Sequence, residues 1–220
     1  MKEHFIQEIT NLKSMVESIA TEAEAALAKA LEAVSTMNVP LAKEVIGGDY
    51  KIDCDEVKVE EECLKILALY QPVASDLRLV ITILKINHDL ERVADFAVGI
   101  ARRAIDMANF IDTDIERFDF RKMEETVRGM LKKALQVMKN ADPLMAFVII
   151  RQDEVVDAIH RENDVRAREL IALYPQQAGY YLDSMNISRS LERVADIATN
   201  ICEDVIYLES GKIVRHTHNT

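Results

Sequence analysis

An all-α fold, written as one three-helix unit repeated in tandem, is what the sequence predicts, and three observations carry that expectation. Only 6 Gly and 4 Pro interrupt the 220 residues, while Ala, Leu, Glu, Lys and Met, all strong helix formers, are abundant. The run Leu90-Glu91-Arg92-Val93-Ala94-Asp95 returns letter for letter as Leu191-Glu192-Arg193-Val194-Ala195-Asp196. At nearly the same offset, Ala68-Leu69-Tyr70 answers Ala172-Leu173-Tyr174 and Pro40-Leu41 answers Pro143-Leu144, so the first half maps onto the second with small loop differences.

The breakers and the 3.6-residue period then place the elements in order. Lys2 to Thr36 reads as one long helix. A second segment, Leu41 to Leu69, keeps Ile52, Val59, Cys63 and Ile66 at helical spacing, with Gly47-Gly48 expected to kink it or delay its start. After Pro72 a third helix carries Ile83, Ile86, Leu90, Val93, Ala97 and Ile100. The second half repeats this with helices over Ile115 to Lys139, Pro143 to Leu173 and Ala178 to Glu209. Pro143 suits a helix start, and Pro175 stands just past an end. Six long antiparallel helices therefore make two tandem three-helix bundles, residues 1–110 and 111–220. Helices of this length favour elongated bundles over a globin-like packing.

Composition excludes several functions. With 38 acidic against 27 basic residues, a formal net charge of -11, the chain repels nucleic acid and anionic lipid, so neither is an expected partner. Met1 to Thr10 lacks the basic start and apolar run of a secretory signal. Apolar runs such as Phe147-Val148-Ile149-Ile150 fall far short of the roughly 20 residues that span a bilayer, so a cytoplasmic protein outside the membrane is expected. Cys54, Cys63 and Cys202 have no ligand-like spacing and read as small hydrophobes in a reducing compartment. The nine methionines read as core gap-fillers, and Val214 to Thr220 as a polar terminus despite two histidines.

The acids are where chemistry enters. Glu91 and Asp95, like Glu192 and Asp196, stand four residues apart, which puts each pair on one helix face with Cβ atoms about 5–6 Å apart. Asp49 and Asp53 repeat the spacing on the preceding helix, and their counterparts in the second unit are Asp153 and Asp157. The stripe continues through Glu56 and Glu60, answered by His160 and Asp164. If the two helices of a unit are neighbours, four carboxylates converge, repel and resist ionisation until a multivalent cation relieves them. All-oxygen ligation suits magnesium, manganese, calcium or iron, with His160 leaving room for zinc. The competing reading is a salt-bridge network in which Arg92 and Arg193 neutralise the acids without metal, in a purely structural bundle. A carboxylate-bridged di-iron enzyme is a third, but it needs inward-facing acids and two Glu-x-x-His motifs, and only Asp157-Ala158-Ile159-His160 comes near. No Gly-rich phosphate loop or Ser/His/Asp arrangement is present, so catalytic residues are not assigned. His88, three residues before the acidic motif, is placed to face the same site, but an ordinary hydrogen-bonded helix histidine is the favoured reading.

The duplicated Glu-x-x-x-Asp motif at Glu91/Asp95 and Glu192/Asp196, with the Asp-x-x-x-Asp pairs and the flanking Tyr70-Gln71-Pro72 and Tyr174-Pro175-Gln176, closely resembles the PhoU family of phosphate-uptake regulators over nearly the whole chain. That resemblance implies two three-helix bundles, multinuclear iron or zinc clusters (other divalent ions such as manganese or magnesium being alternatives) and frequent homodimers. It also implies negative regulation of phosphate uptake beside the transporter's ATPase subunit and the phosphate-sensing histidine kinase. Carried over, the metal ligands are Asp49, Asp53, Glu91 and Asp95 in one unit and Asp153, Asp157, Glu192 and Asp196 in the other. His160, where the first unit has Glu56, implies unequal sites.

Overall fold

The computed structural model describes residues 2–110, 115–140 and 142–212; the terminal segment with His216 and His218 lies outside them. Six long helices and no strand are found among the described residues: α1 (Lys2–Thr36), α2 (Val39–Tyr70), α3 (Ala74–Met107), α4 (Arg121–Asn140), α5 (Pro143–Leu173) and α6 (Ala178–Ser210). Single 3-10 turns follow α3 and α5.

The middle helix of each unit is started by the same device. Asn38 caps α2, its side chain accepting from the Leu41 amide at 3.0 Å. Asp142 caps α5, accepting from the amides of Leu144 and Met145, both at 3.1 Å. Each cap satisfies amides that the first helical turn leaves without partners, and Pro40 and Pro143 in that turn forgo none.

Two sequence expectations need correction. The Gly47-Gly48 pair neither kinks α2 nor delays it, since the helix runs unbroken from Val39 to Tyr70. Ala42, Val45 and Ile52 on either side are buried, and their burial outweighs the helix propensity that two glycines forfeit. In the second unit α4 begins at Arg121 rather than Ile115. There the Tyr180 hydroxyl accepts from the Phe118 amide at 3.2 Å, Phe120 is buried, and Asp119 accepts from the Arg121 amide at 3.0 Å. A tertiary hydrogen bond thus holds 115–120 as a connector, and the helix starts after it.

Ion pairs give the directions. Lys29–Glu44, Lys51–Glu22 and Lys65–Glu8 tie α1 to an antiparallel α2. Lys85–Asp204 at 3.2 Å and Arg103–Asp183 at 3.2 Å do the same for α3 and α6. Helix α3 packs on α1, α2 and α6, and α6 on α3, α4 and α5. The third helices are therefore the shared wall of the two bundles, and one continuous apolar core, from Leu12, Ile19 and Leu27 through Leu90 and Ile100 to Leu191 and Ile201, crosses it. Cys63 and Cys202 are buried in that core, and Cys54 is half-buried on α2. Burial pushes the Cys63 and Cys202 thiols up to about 12, so both are inert packing groups.

Candidate metal centre

In each unit the two acid-bearing helices run antiparallel, and their register decides which carboxylates meet. The Asn87 side chain donates to the Glu56 carbonyl at 2.9 Å, fixing α3 on α2. In that register Asp49 meets Asp53 and Asp95, and Glu91 meets Asp95, Glu56 and Asp53. In the second unit His160 Nδ1 and the Ser188 hydroxyl, 2.9 Å apart, fix α6 on α5. There Asp153 meets Asp196, Asp157 and Glu192. All eight acids singled out from the sequence thus fall into two groups of four, one per bundle, along the α2/α3 and α5/α6 seams. All are half-buried or exposed, which sets them on the outer side of the seams and not in the interior that a di-iron enzyme would use.

Crowding has an electrostatic signature. Partial burial, then neighbouring carboxylates, lift the pKa of Asp49 and of Glu91. Burial and then Glu60 lift Glu56. Burial and then Asp196 lift Glu192, and burial above all lifts Asp196 against the counter-pull of Arg193. Asp153 is pushed up to about 7, by burial first and then by Asp196, Asp157, Glu192 and Glu154.

Neutralising groups are present but unevenly placed. Arg193 stays on its own helix face, 3.1 Å from Asp196 and 3.5 Å from Glu192. Its counterpart Arg92 turns instead to the buried Asp89 at 3.1 Å and lends its charge to Asp196 of the other unit. Arg161 lies 3.8 Å from Asp157. His88, read from sequence as a hydrogen-bonded helix histidine, is exposed, 3.9 Å from Glu91 and close enough to Glu56 to favour its ionised form. Each seam therefore owns one imidazole, on α3 in the first unit and on α5 in the second. The repeat aligns His160 with Glu56, and the antiparallel packing sets His88, already near Glu91 in the sequence, across the seam from Glu56. Asn87 and Ser188, which set the two registers, occupy matching places in the repeat, and that correspondence was the available signal.

Among the described residues no three His, Cys, Asp or Glu donors already close on one point; the carboxylates line each seam as facing pairs. Whether the set fits a cation is tested best at Asp153. Its Oδ1 is buried with no hydrogen-bond partner, and among the described residues no arginine or lysine pairs with it. Asp204 also has one carboxylate oxygen without a hydrogen bond, but its other oxygen takes Lys85 at 3.2 Å, whereas Asp153 has acids as its charged neighbours. An oxygen-seeking cation suits it, as do the carboxylates on both helices.

The PhoU domain model matches residues 16–104 and again 120–205. The chain is 36% identical to the phosphate-specific transport system accessory protein PhoU homolog of Aquifex aeolicus, covering 96% of both chains. It is 34% identical to PhoU homolog 1 of Thermotoga maritima, over 95% of this chain and 90% of that one. Among solved structures, PhoU from Pseudomonas aeruginosa superposes with a TM-score of 0.91 at 32% identity, covering 94% of this chain and 100% of that one.

Proposed function

The chain belongs to the PhoU family, and from that premise we propose that it is a non-enzymatic accessory protein that negatively regulates phosphate uptake and binds metal on its two acidic seams. It works in the cytoplasm, beside the phosphate transporter's ATPase subunit and the phosphate-sensing histidine kinase, as a homodimer. The accessory role is supported by relatives named for phosphate-specific transport over almost their whole length. No helix among the described residues is long and apolar enough to cross a membrane.

The single observation that carries the metal reading is the buried, unpartnered carboxylate oxygen of Asp153, facing three further acids. Asp49, Asp53, Glu91 and Asp95 would hold cations in the first unit, and Asp153, Asp157, Glu192 and Asp196 in the second. Iron or zinc is favoured, with manganese or magnesium as alternatives, and His88 and His160 stand at the same ends of the seams. Bound cations would turn two anionic faces into sites for a phosphate oxygen or a partner's carboxylate. The protein's own part is to hold the carboxylates in facing pairs and to keep Asp153 Oδ1 out of water.

Elemental analysis of chain purified without chelator or affinity metal tests this. One or more iron, zinc or manganese per chain, lost when Glu91, Asp95, Glu192 and Asp196 become Ala, is the expected outcome. A chain that takes up none of these metals, nor magnesium, on titration would sink the metal reading and leave Arg193 and its neighbours as a plain ion-pair network. Sedimentation at several concentrations reads the dimer.

A further inference from the structure

On the wall where the two bundles meet, α1, α3, α4 and α6 line an open-sided cavity of about 370 Å³, built from residues other than the seam carboxylates. Its apolar surface includes Ile83, Ile86, Met138 and Val205. Two polar side chains on α3, Arg78 and Thr82, stand four residues apart and so line the cavity from one helix face. Thr82 is 2% exposed, and its hydroxyl has no hydrogen-bond partner, which costs stability unless something occupies the space beside it. Half-buried Arg78 spends one N–H on the Leu208 carbonyl, at a long 3.4 Å, and no carboxylate of the described residues lies in ion-pair range of it.

We propose that this cavity binds a small amphipathic carboxylate, of the chemical class of a medium-chain fatty acid. The ligand carboxylate takes the guanidinium of Arg78 and the hydroxyl of Thr82, and its chain lies along the isoleucines. The volume falls at the small end of ligand sites, and an apolar lining with a few placed polar groups is the usual form of such sites. One guanidinium and one hydroxyl match a monoanion. Glu17, Asp76 and Glu209 balance Lys13, Lys139 and Arg78 around the cavity, with Lys139 paired to Glu17 at 3.1 Å, so no surplus of positive charge is left for a more highly charged phosphate head. Because its walls come from both bundles, an occupant holds the two halves together and protects the fold by mass action. This reading stands apart from the metal seams and does not depend on them.

The test is calorimetric titration of the full chain with decanoate and, separately, decanol, alongside methyl NMR of isoleucine-labelled protein. Decanoate is expected to bind and to shift Ile83 and Ile86, while Ile52 and Ile66 stay still. Decanol and the Arg78→Met variant are expected to weaken binding roughly tenfold or more, and Thr82→Val by a smaller factor. Absence of decanoate binding would overturn the proposal. So would equal binding of decanol to the wild-type chain, or shifts confined to other isoleucines. The wild-type comparison does not depend on either variant folding.

Discussion

The two acidic seams share spacing, helix direction and register, yet they differ in how their charge is balanced. In the first, Asp49 borders the exposed Gly47-Gly48 stretch of α2, Arg102 counters it, and His88 stands beside Glu91. In the second, Arg193 leans on Glu192 and Asp196, His160 is held by Ser188, and half-buried Asp153 has one oxygen out of water and unpartnered. Duplication preserved the carboxylates, while burial and basic neighbours diverged. The second seam consequently stores more unfavourable charge in the absence of a cation, and gains more from one.

Separate removal of the two motif pairs would break or sharpen that contrast most. Glu192→Ala with Asp196→Ala, and Glu91→Ala with Asp95→Ala, are each expected to abolish binding at one seam only. The loss should be at least the roughly hundredfold that even outer-sphere changes to a metal site can cause. Zinc titration followed by calorimetry reads it, and loss at both seams from one pair of changes would contradict independent sites.

Next in size is a pH effect. The pKa of Asp153 is about 7 in the folded chain against an ordinary 3.8. Between those values the folded state carries a proton that the unfolded state has lost, so stability without metal falls as pH rises from about 4 to about 7 and then levels. After allowance for solvent screening the change is about 2 kcal/mol. Urea unfolding of chelator-treated protein at several pH values should show it, and Asp153→Asn should flatten the slope. An unchanged slope would mean that Asp153 does not carry the contrast.

The two helix starts give a smaller comparison. Asp142 accepts two amides where Asn38 accepts one. Replacement of either by Ala should cost about 1 kcal/mol, with Asp142 the dearer, as thermal melts would show. Smallest is the glycine pair. An added Cβ at Gly47 or Gly48 meets nothing within 4 Å, so each Gly→Ala change should stabilise by about 0.5–1 kcal/mol. Destabilisation would show that the seam needs a pliant backbone there.

What was legible in the sequence was whatever a single helix decides. Lys2–Thr36 and Pro143–Leu173 agree with expectation to the residue, because breakers and apolar period act locally. The four acid pairs were legible because residues four apart on a helix share a face. What stayed hidden depends on contacts between helices. The Tyr180 hydroxyl holds 115–120 out of α4, a residue some sixty positions away. His88 meets Glu56 only through an antiparallel register that Asn87 sets. Burial of Ala42 and Ile52 overrode the glycines between them.

The placement of α3 and α6 as a shared wall carries a consequence for the ancestry of the fold. A lone three-helix unit would expose the face of its third helix that now meets the other copy, including the partners of Lys85 and Arg103. Before duplication such a unit would have needed to find a twin in solution, and its integrity would have varied with its abundance. Joining two copies in one polypeptide replaced that encounter with an effective concentration fixed by the linker. A covalent tie lets the halves differ without parting, as they do in where each seam carries its imidazole and its basic neighbours.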